Sequence, residues 1–263
     1  GGAIGNSTAL SSLNVTGATI LNSSSVNTSG AQNFNSAITL GTNSALTSSA
    51  GAINLAGNVN GANSLTLNGN TGVTLGGAIG NSTALSSLNV TGATAINGGS
   101  VTTTGTQTYN SAATLGADST FNTTNNNVTF GSTLNSSGAA RALTVNAGTG
   151  AINLSGNAGN TLALGAMNLN STGATTVGGT VNAASFTTNA GGSTALNGAS
   201  ITTSGAVSIG DVATLGTGVS INSSTGNGVV TFSNTVNGAN SLSINSGSGA
   251  VNFNGAVGTT TAL

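Results

Sequence analysis

The sequence predicts an all-β protein, a parallel β-helix (β-solenoid) with three short strands in each coil of about 19 residues and about fourteen stacked coils. Two repeat lengths and a nearly charge-free, proline-free composition lead to this prediction. Short groups such as LNV (13–15), INL (53–55) and LTL (65–67) alternate apolar and polar residues. This period of two is typical of strands with one buried face.

The longer repeat spans 75 residues. GGAIGNSTALSSLNVTGAT fills positions 1–19 and returns unchanged at 76–94. We divide the chain into large repeats at 1–75, 76–154 and 155–254, the last longer by about one coil, with 255–263 beginning a fourth. Because stacked repeats share one core, we expect residues 1–263 to form a single continuous solenoid. The partial fourth repeat predicts that the chain is an internal segment of a longer polypeptide.

The shorter repeat consists of large apolar residues about six positions apart. Every third residue of this series belongs to the same column, so each predicted coil contributes one residue to each of three columns. The first column is Val15, Phe34, Ile53, Val73, Val90, Tyr109 and Val128. The second is Leu21, Leu40, Val59, Ile79, Ile96, Leu115 and Leu134, and the third is Val26, Leu46, Leu65, Leu85, Val101, Phe121 and Leu143. The residues between them are those that tolerate turns. Helical repeats would need more Ala, Leu, Glu, Lys and Arg, and an antiparallel meander would not give three recurrent columns.

The composition of the chain argues against most kinds of catalytic, metal-binding and nucleic-acid-binding site. The chain has one Arg, two Asp and no Lys, Glu, His or Cys. Acid–base catalysis needs a titratable group, and only Asp118 and Asp211 qualify. Transition-metal sites need His, Cys or clustered carboxylates, and Arg141 alone cannot hold nucleic acid. We therefore predict that the protein is not an enzyme, has no catalytic, cofactor-binding or metal-binding residues, and does not bind nucleic acid.

The same composition bears on surfaces and partners. No run of eighteen apolar residues occurs, so we expect no insertion into a membrane as a helix. Like charges stacked one rung apart repel each other, whereas Asn, Ser and Thr can form hydrogen-bonded ladders. A neutral surface gives little protection against association. The sequence therefore predicts that copies of the protein associate, end to end or side by side.

A few features suggest more specific sites. VTTT (101–104) contains, and ITTS (201–204) resembles, the T-x-T pattern of an ice-binding ladder, although such triplets occur once per large repeat and the first copy reads VNTS (26–29). Asp118 and Asp211 are predicted to be solvated turn residues and not calcium ligands, since further carboxylates are missing. We expect Arg141 to lie on a small bulge formed by a three-residue insertion.

The aromatic residues all fall on or near the apolar columns. We expect them to fill the core and not to form an exposed binding platform: Phe34, Tyr109, Phe121, Phe130, Phe186, Phe232 and Phe253.

The cadence GAIGxxTALSSLxVTG, with its recurring L-x-V, TLG and INL units, resembles the β-strand repeats of filamentous-haemagglutinin-like adhesins and of autotransporter passenger regions. The resemblance covers essentially the whole chain. It implies right-handed β-helical folding, export across the outer membrane of a Gram-negative bacterium, and a role in adhesion, aggregation or biofilm matrix. The location it implies is extracellular or on the outer cell surface. The lack of charge departs from many such shafts and favours a self-associating fibre or sheath.

Two functions of different classes follow. The first is the structural shaft of an extracellular fibre or giant adhesin. The second is a binding module that recognises a glycan, ice or another surface through one flat Ser/Thr/Asn face. Regular outward ladders on one face would favour the second.

Overall fold

The computed structural model describes residues 2–263. The first strands are β1 (Leu13–Val15), β2 (Thr19–Leu21), β3 (Ser25–Thr28), β4 (Gln32–Phe34), β5 (Ile38–Leu40), β6 (Ser44–Ser48), β7 (Ala52–Leu55), β8 (Val59–Asn60), β9 (Ser64–Gly69) and β10 (Gly72–Leu75). They are followed by β11 (Ser87–Thr91), β12 (Thr94–Ile96), β13 (Ser100–Thr102), β14 (Gln107–Tyr109), β15 (Ala113–Leu115), β16 (Ser119–Asn122), β17 (Val128–Phe130), β18 (Leu134–Ser136), β19 (Leu143–Gly148) and β20 (Ile152–Leu154).

The remaining strands are β21 (Leu164–Ser171), β22 (Ala174–Val177), β23 (Val181–Thr188), β24 (Ser193–Leu196), β25 (Ser200–Thr203), β26 (Val207–Ile209), β27 (Val212–Leu215), β28 (Val219–Asn222), β29 (Val230–Phe232), β30 (Val236–Asn237), β31 (Leu242–Asn245) and β32 (Val251–Phe253). One 3-10 turn, Ser224–Gly226, lies between β28 and β29. No helix within residues 2–263 has the length and apolar character needed to cross a membrane.

Successive strands form the three sides of a parallel β-solenoid, which confirms the predicted fold class. The first side contains β1, β4, β7, β10, β12, β15, β18, the start of β23, β25, β28 and β31. The second contains β2, β5, β8, β13, β16, β19, β21, the end of β23, β26, β29 and β32. The third contains β3, β6, β9, β11, β14, β17, β20, β22, β24, β27 and β30. Single bridges, such as those of Ile79 and Ala158, continue a side where no full strand forms.

The coils are longer and fewer than predicted. Each has about 21 residues, and about eleven turns are stacked, in place of about 19 residues and fourteen coils. At the usual strand spacing of ~4.8 Å, the rod is about 50 Å long. The predicted columns hold over short stretches: Val15 is opposite Phe34, and Val26 is opposite Leu46. The first column shifts by two residues at Ile53, which is opposite Gln32 and not Phe34. It slips to another side after Val73, which is opposite Thr94, whereas Val90 is in β11 on the third side.

The slip has a local cause: residues 80–84 form a loop that interrupts one side of the coil. Ile79 and Leu85, which the sequence analysis placed in different columns, both bridge to the same side, to Val101 and Thr103. Gly80 starts the loop with a φ of +70°. The Asn60 side chain holds it, because its Oδ1 accepts hydrogen bonds from the N–H groups of residues 82 and 83 at 2.9 and 3.2 Å.

The same loop recurs in other repeats. The N–H of Thr161 donates to Oδ1 of Asn135 at 2.9 Å, and that of Thr260 donates to Oδ1 of Asn237 at 3.0 Å. A coil that carries this loop needs more residues than a coil made of strands and short turns alone. The six-residue spacing of apolar residues therefore underestimated the length of a turn.

The large repeat does not contain a whole number of turns. We count each strand, and the single bridge of Ile79, as one strand position, which covers one side of one coil. On this count β13 in the second large repeat comes eleven positions after β3, its counterpart in the first. Because three positions make a turn, β3 lies on the third side and β13 on the second. The next equivalent, β25, is fourteen positions further and lies on the first side, since the third repeat is longer by one full turn. Equal sequences therefore face three different directions.

Candidate functional site

The two carboxylates are far apart in the fold and differ in their surroundings. Asp118 is exposed, as predicted, and one of its carboxylate oxygens accepts a hydrogen bond from the N–H of Ala142 at 2.9 Å. Asp211 was predicted to be solvated, and this is wrong: its exposed fraction is 1%. Its oxygens accept from the N–H of Gly192 at 2.8 Å and from the Thr194 hydroxyl at 2.9 Å. Both donors lie in the preceding coil, so Asp211 ties one coil to the next.

Asp211→Ala is expected to destabilise the protein by about 2–3 kcal/mol, because two buried donors would lose their acceptor. Asp118→Ala removes the same charge from an exposed position and is expected to cost at most about 1 kcal/mol. Chemical denaturation of both variants measures the difference. Equal losses for the two variants would contradict this assignment.

The remaining candidate residues do not converge on a reactive site. Arg141 lies in the turn between β18 and β19, where its backbone N–H donates to the Ser136 hydroxyl at 2.9 Å. Residues 2–263 hold no group of three or more His, Cys, Asp or Glu side chains that would suit a metal ion.

The aromatic residues lie in the core, as predicted, except for Phe253 at 43% exposure in the last coil. Tyr109 packs on Phe130 with the ring centres 5.0 Å apart and the planes 10° from parallel. Phe121 meets both rings edge to face, at 5.6 and 5.2 Å. The Tyr109 hydroxyl is buried without a hydrogen-bond partner among the described residues. Burial raises the pKa of this phenol well above its usual range.

Tyr109→Phe is expected to stabilise the protein by about 1 kcal/mol, because it removes a buried hydroxyl that has no partner. Phe34, the equivalent residue of the first large repeat, shows that this position accepts phenylalanine. Denaturant titration of both proteins measures the change in the free energy of unfolding. A loss of stability in the variant would show that the hydroxyl is satisfied in solution.

The raised pKa of Tyr109 also predicts a pH dependence. Above about pH 10 the phenol ionises in the unfolded chain but not in the folded one, so stability falls as pH rises through that range. Tyr109 is the only tyrosine and there is no tryptophan. Absorbance near 295 nm should therefore report tyrosinate only as the circular dichroism of the strands is lost. Tyrosinate that forms in a still-folded protein would contradict the assignment.

The T-x-T segments alternate inward and outward side chains. Thr103 points inward, and its hydroxyl donates to the carbonyl of Gly105 at 2.6 Å; the equivalent Thr203 donates to Gly205 at 2.7 Å. Thr102 and Thr202 face outward and are partly exposed. Since β13 and β25 lie on different sides, these segments do not stack into one continuous ladder.

Outward ladders do exist, although the apolar columns of the sequence did not indicate them. In each large repeat, three neighbouring strands of one side present two columns of small uncharged side chains. Polar array 1, on the third side, is Ser25, Asn27, Ala45, Thr47, Thr66 and Asn68. Polar array 2, on the second side, is Ser100, Thr102, Thr120, Asn122, Thr144 and Asn146. Polar array 3, on the first side, is Ser200, Thr202, Ser220, Asn222, Ser243 and Asn245.

Hydrogen bonds along the axis order the side chains of arrays 1 and 2. In array 2, Nδ2 of Asn146 donates to Oδ1 of Asn122 at 2.8 Å, and Nδ2 of Asn122 lies 3.5 Å from the Thr102 hydroxyl. In array 1, Nδ2 of Asn68 lies 3.4 Å from the Thr47 hydroxyl. Two of the arrays border shallow clefts. A cleft of about 380 Å³ includes Thr47 and Asn68, and one of about 280 Å³ includes Thr202.

No protein-family model, no curated protein and no solved structure matches the chain.

Proposed function

We propose that the protein is the structural shaft of an extracellular bacterial fibre or giant adhesin, which associates with its own copies and supports adhesion, aggregation or a biofilm or sheath matrix. The observation that carries this proposal is the rotation of the large repeat around the rod. Because equal sequences face three directions, the large repeat does not give one side a surface of its own. This arrangement suits a shaft, which spans a distance and does not need a single binding face.

Continuity of the backbone pairing supports the same proposal. Parallel pairing links the coils from Leu13 in β1 to Val257 beyond β32. A tension along the rod is therefore borne by rows of backbone hydrogen bonds on three sides. The formal net charge is only −1, so neighbouring rods repel each other weakly.

The alternative function, a module with one flat Ser/Thr/Asn face, predicts that equivalent outward residues stand above one another. The strands β3, β13 and β25 instead occupy three sides. The repeated T-x-T segments therefore do not form one flat face, which favours the shaft over a docking module built from them, although outward Thr and Asn residues of other strands do stand in register along the third side.

Electron cryo-imaging of cells that carry the protein, with an antibody against the chain, tests this proposal. We expect label along filaments outside the outer membrane and an axial spacing of ~4.8 Å from the stacked rungs. Label confined to the cell interior, or isolated rods that never join into filaments, would overturn the proposal.

A further inference from the structure

The outer edge of residues 236–253 repeats a surface that is already paired elsewhere in the rod. The same seven residues, VNGANSL, fill 59–65 and 236–242. They also make the same contact with the coil before them. The side chains of Asn63 and Asn240 each donate to a leucine carbonyl of the preceding coil, in both cases at 2.9 Å. The two segments therefore offer the same surface to the coil that follows.

The chain contains the partner of that surface in two identical copies. GAIGNSTALSSLNVTGAT fills both 2–19 and 77–94. The second copy pairs with residues 59–75: Ile79 bridges Val59, Leu88 is opposite Leu65, and Thr94 is opposite Val73. Because the first copy has the same sequence, it fits residues 236–253 in the same register. The equivalent pairs are Ile4 with Val236, Leu13 with Leu242, and Thr19 with Val251.

One side of this surface already holds residues 255–263. Val257 bridges Val236 through hydrogen bonds of 3.0 and 2.8 Å, and the corresponding bridge of Ile79 has bonds of 3.0 and 2.7 Å. The sequences GAVGTTTAL at 255–263 and GAIGNSTAL at 2–10 match at six of nine positions. Residues 2–10 of another copy can therefore take over the same hydrogen bonds.

The sides of the rod agree with such an exchange. Residues 2–10 and 255–263 both lie on the third side, against β3 and β30. When a second copy makes the exchange, its β1 meets β31 on the first side and its β2 meets β32 on the second. Within residues 2–263, each of these four strands has one unpaired edge. Val251 and Phe253 of β32 are 39% and 43% exposed, so the exchange pairs free edges and covers apolar side chains.

The size and charge of the contact suit a joint between two copies. One coil has about 21 residues, and a specific protein interface uses roughly 20–30 residues from each partner. The facing surface of the second copy has an apolar cleft of about 440 Å³, lined in part by Ile4, Leu13 and Val15. Neither 2–19 nor 236–253 contains Asp, Glu, Lys, Arg or His, so the two surfaces meet without charge repulsion.

We propose that copies of this chain join head to tail, with residues 2–19 of one copy paired to residues 236–253 of another and residues 255–263 displaced. The two surfaces differ, so the joint is heterologous, and a straight continuation of the rod leads to open filaments. Every strand keeps its side across the joint. This inference rests on the proposed shaft and adds the surface through which its copies associate.

Two variants, each with one damaged surface, test the joint. Leu13→Asp places a charge in the first surface, and Phe253→Asp places one in the second. Light scattering should show that the unchanged chain forms multimers whose mass rises with concentration. Each variant alone should remain a monomer. An equal mixture of the two should form dimers and nothing larger, because only one undamaged surface of each kind is present.

The matched controls are Asn14→Asp and Asn252→Asp, which add the same charge at exposed positions one residue away. Both should form multimers as the unchanged chain does. An unchanged chain that stays monomeric, or a mixture of Leu13→Asp and Phe253→Asp that behaves as each variant does alone, would overturn the inference.

Disulfide trapping checks the register, since the chain has no cysteine. In the proposed joint, Asn14 of one copy is opposite Ser243 of another, as Asn89 is opposite Thr66. Asn14→Cys with Ser243→Cys should therefore give a ladder of covalent multimers on oxidation. The control is Asn14→Cys with Asn245→Cys, which places the two Cα atoms roughly 8 Å apart, beyond the reach of a disulfide. Equal ladders from both pairs, or none from either, would overturn the register.

The two tests are independent of each other and of the imaging of cells. Circular dichroism establishes that every variant is folded. The disulfide pairs use exposed positions only, so trapping decides the question even where Leu13→Asp or Phe253→Asp unfolds the chain. Filaments outside cells without this joint in solution would overturn the inference and leave the shaft. Joined rods in solution with label confined to the cell interior would do the reverse.

Discussion

Gly80→Ala is expected to destabilise the protein by about 3 kcal/mol or more, among the largest effects of any single small substitution in the chain. The φ of Gly80 is +70°, in a region that L-residues enter at a cost of about 1–3 kcal/mol. In addition, a Cβ at this position would lie 2.1 Å from the carbonyl oxygen of Thr102 in the next coil. The melting temperature should fall by about 10 °C.

Two further glycines separate the causes of this effect. Gly138 has a φ of +76° but no atom within 4 Å of the added Cβ, so Gly138→Ala should cost only about 1–2 kcal/mol. Gly17 has neither a positive φ nor a close neighbour, and Gly17→Ala should change stability by at most about 0.5 kcal/mol. Thermal unfolding of the three variants should give this order. Equal effects at Gly80 and Gly138 would show that the close approach of the next coil is unimportant.

Phe121→Ala is expected to cost about 3–5 kcal/mol, because it leaves a cavity in a fully buried site. The ring is 0% exposed and meets Tyr109 and Phe130 edge to face, so neighbours from successive coils lose contacts together. Since each coil of a solenoid is stabilised by its neighbours, the loss should spread along the rod. Hydrogen exchange should show the largest loss of protection in the coils that contain these three aromatic residues.

Phe253→Ala is the matched control for this prediction. Phe253 stacks on Phe232 with ring centres 5.3 Å apart, but it is 43% exposed because it lies in the last coil. We expect a loss of no more than about 1.5 kcal/mol. A loss as large as that of Phe121→Ala would contradict the view that stability is concentrated in the covered coils.

The architecture could be predicted because inward and outward residues alternate within each short strand. Val26, Leu46 and Phe121 are all fully buried, as their place in the apolar columns indicated. Turn length could not be predicted, since the loop at residues 80–84 is built from the same small polar residues as the ordinary corners. Only the bridges of Ile79 and Leu85 to one side show that this segment leaves the rung.

Features that depend on contacts between coils also escaped prediction. The burial of Asp211 depends on Gly192 and Thr194 in the preceding coil. The polar arrays depend on which outward residues are opposite each other, and a coil two residues too short shifts them out of line. The residues of the inner surface of the solenoid can therefore be predicted from the sequence more readily than the arrangement of those on the outer surface.

The mismatch between the large repeat and the turn has a consequence for how the chain reaches its native state. Proteins with nearly identical repeats are prone to misassembly, because a segment can join the wrong copy of its partner. Here the identical stretches 2–19 and 77–94 lie on different sides of the rod, since β1 is on the first side and β11 on the third. We expect a growing solenoid that recruits the wrong copy to start its next coil a third of a turn out of phase, so that the strands that follow face partners other than their native ones. The mismatch between repeat and turn would then oppose the propagation of such an error.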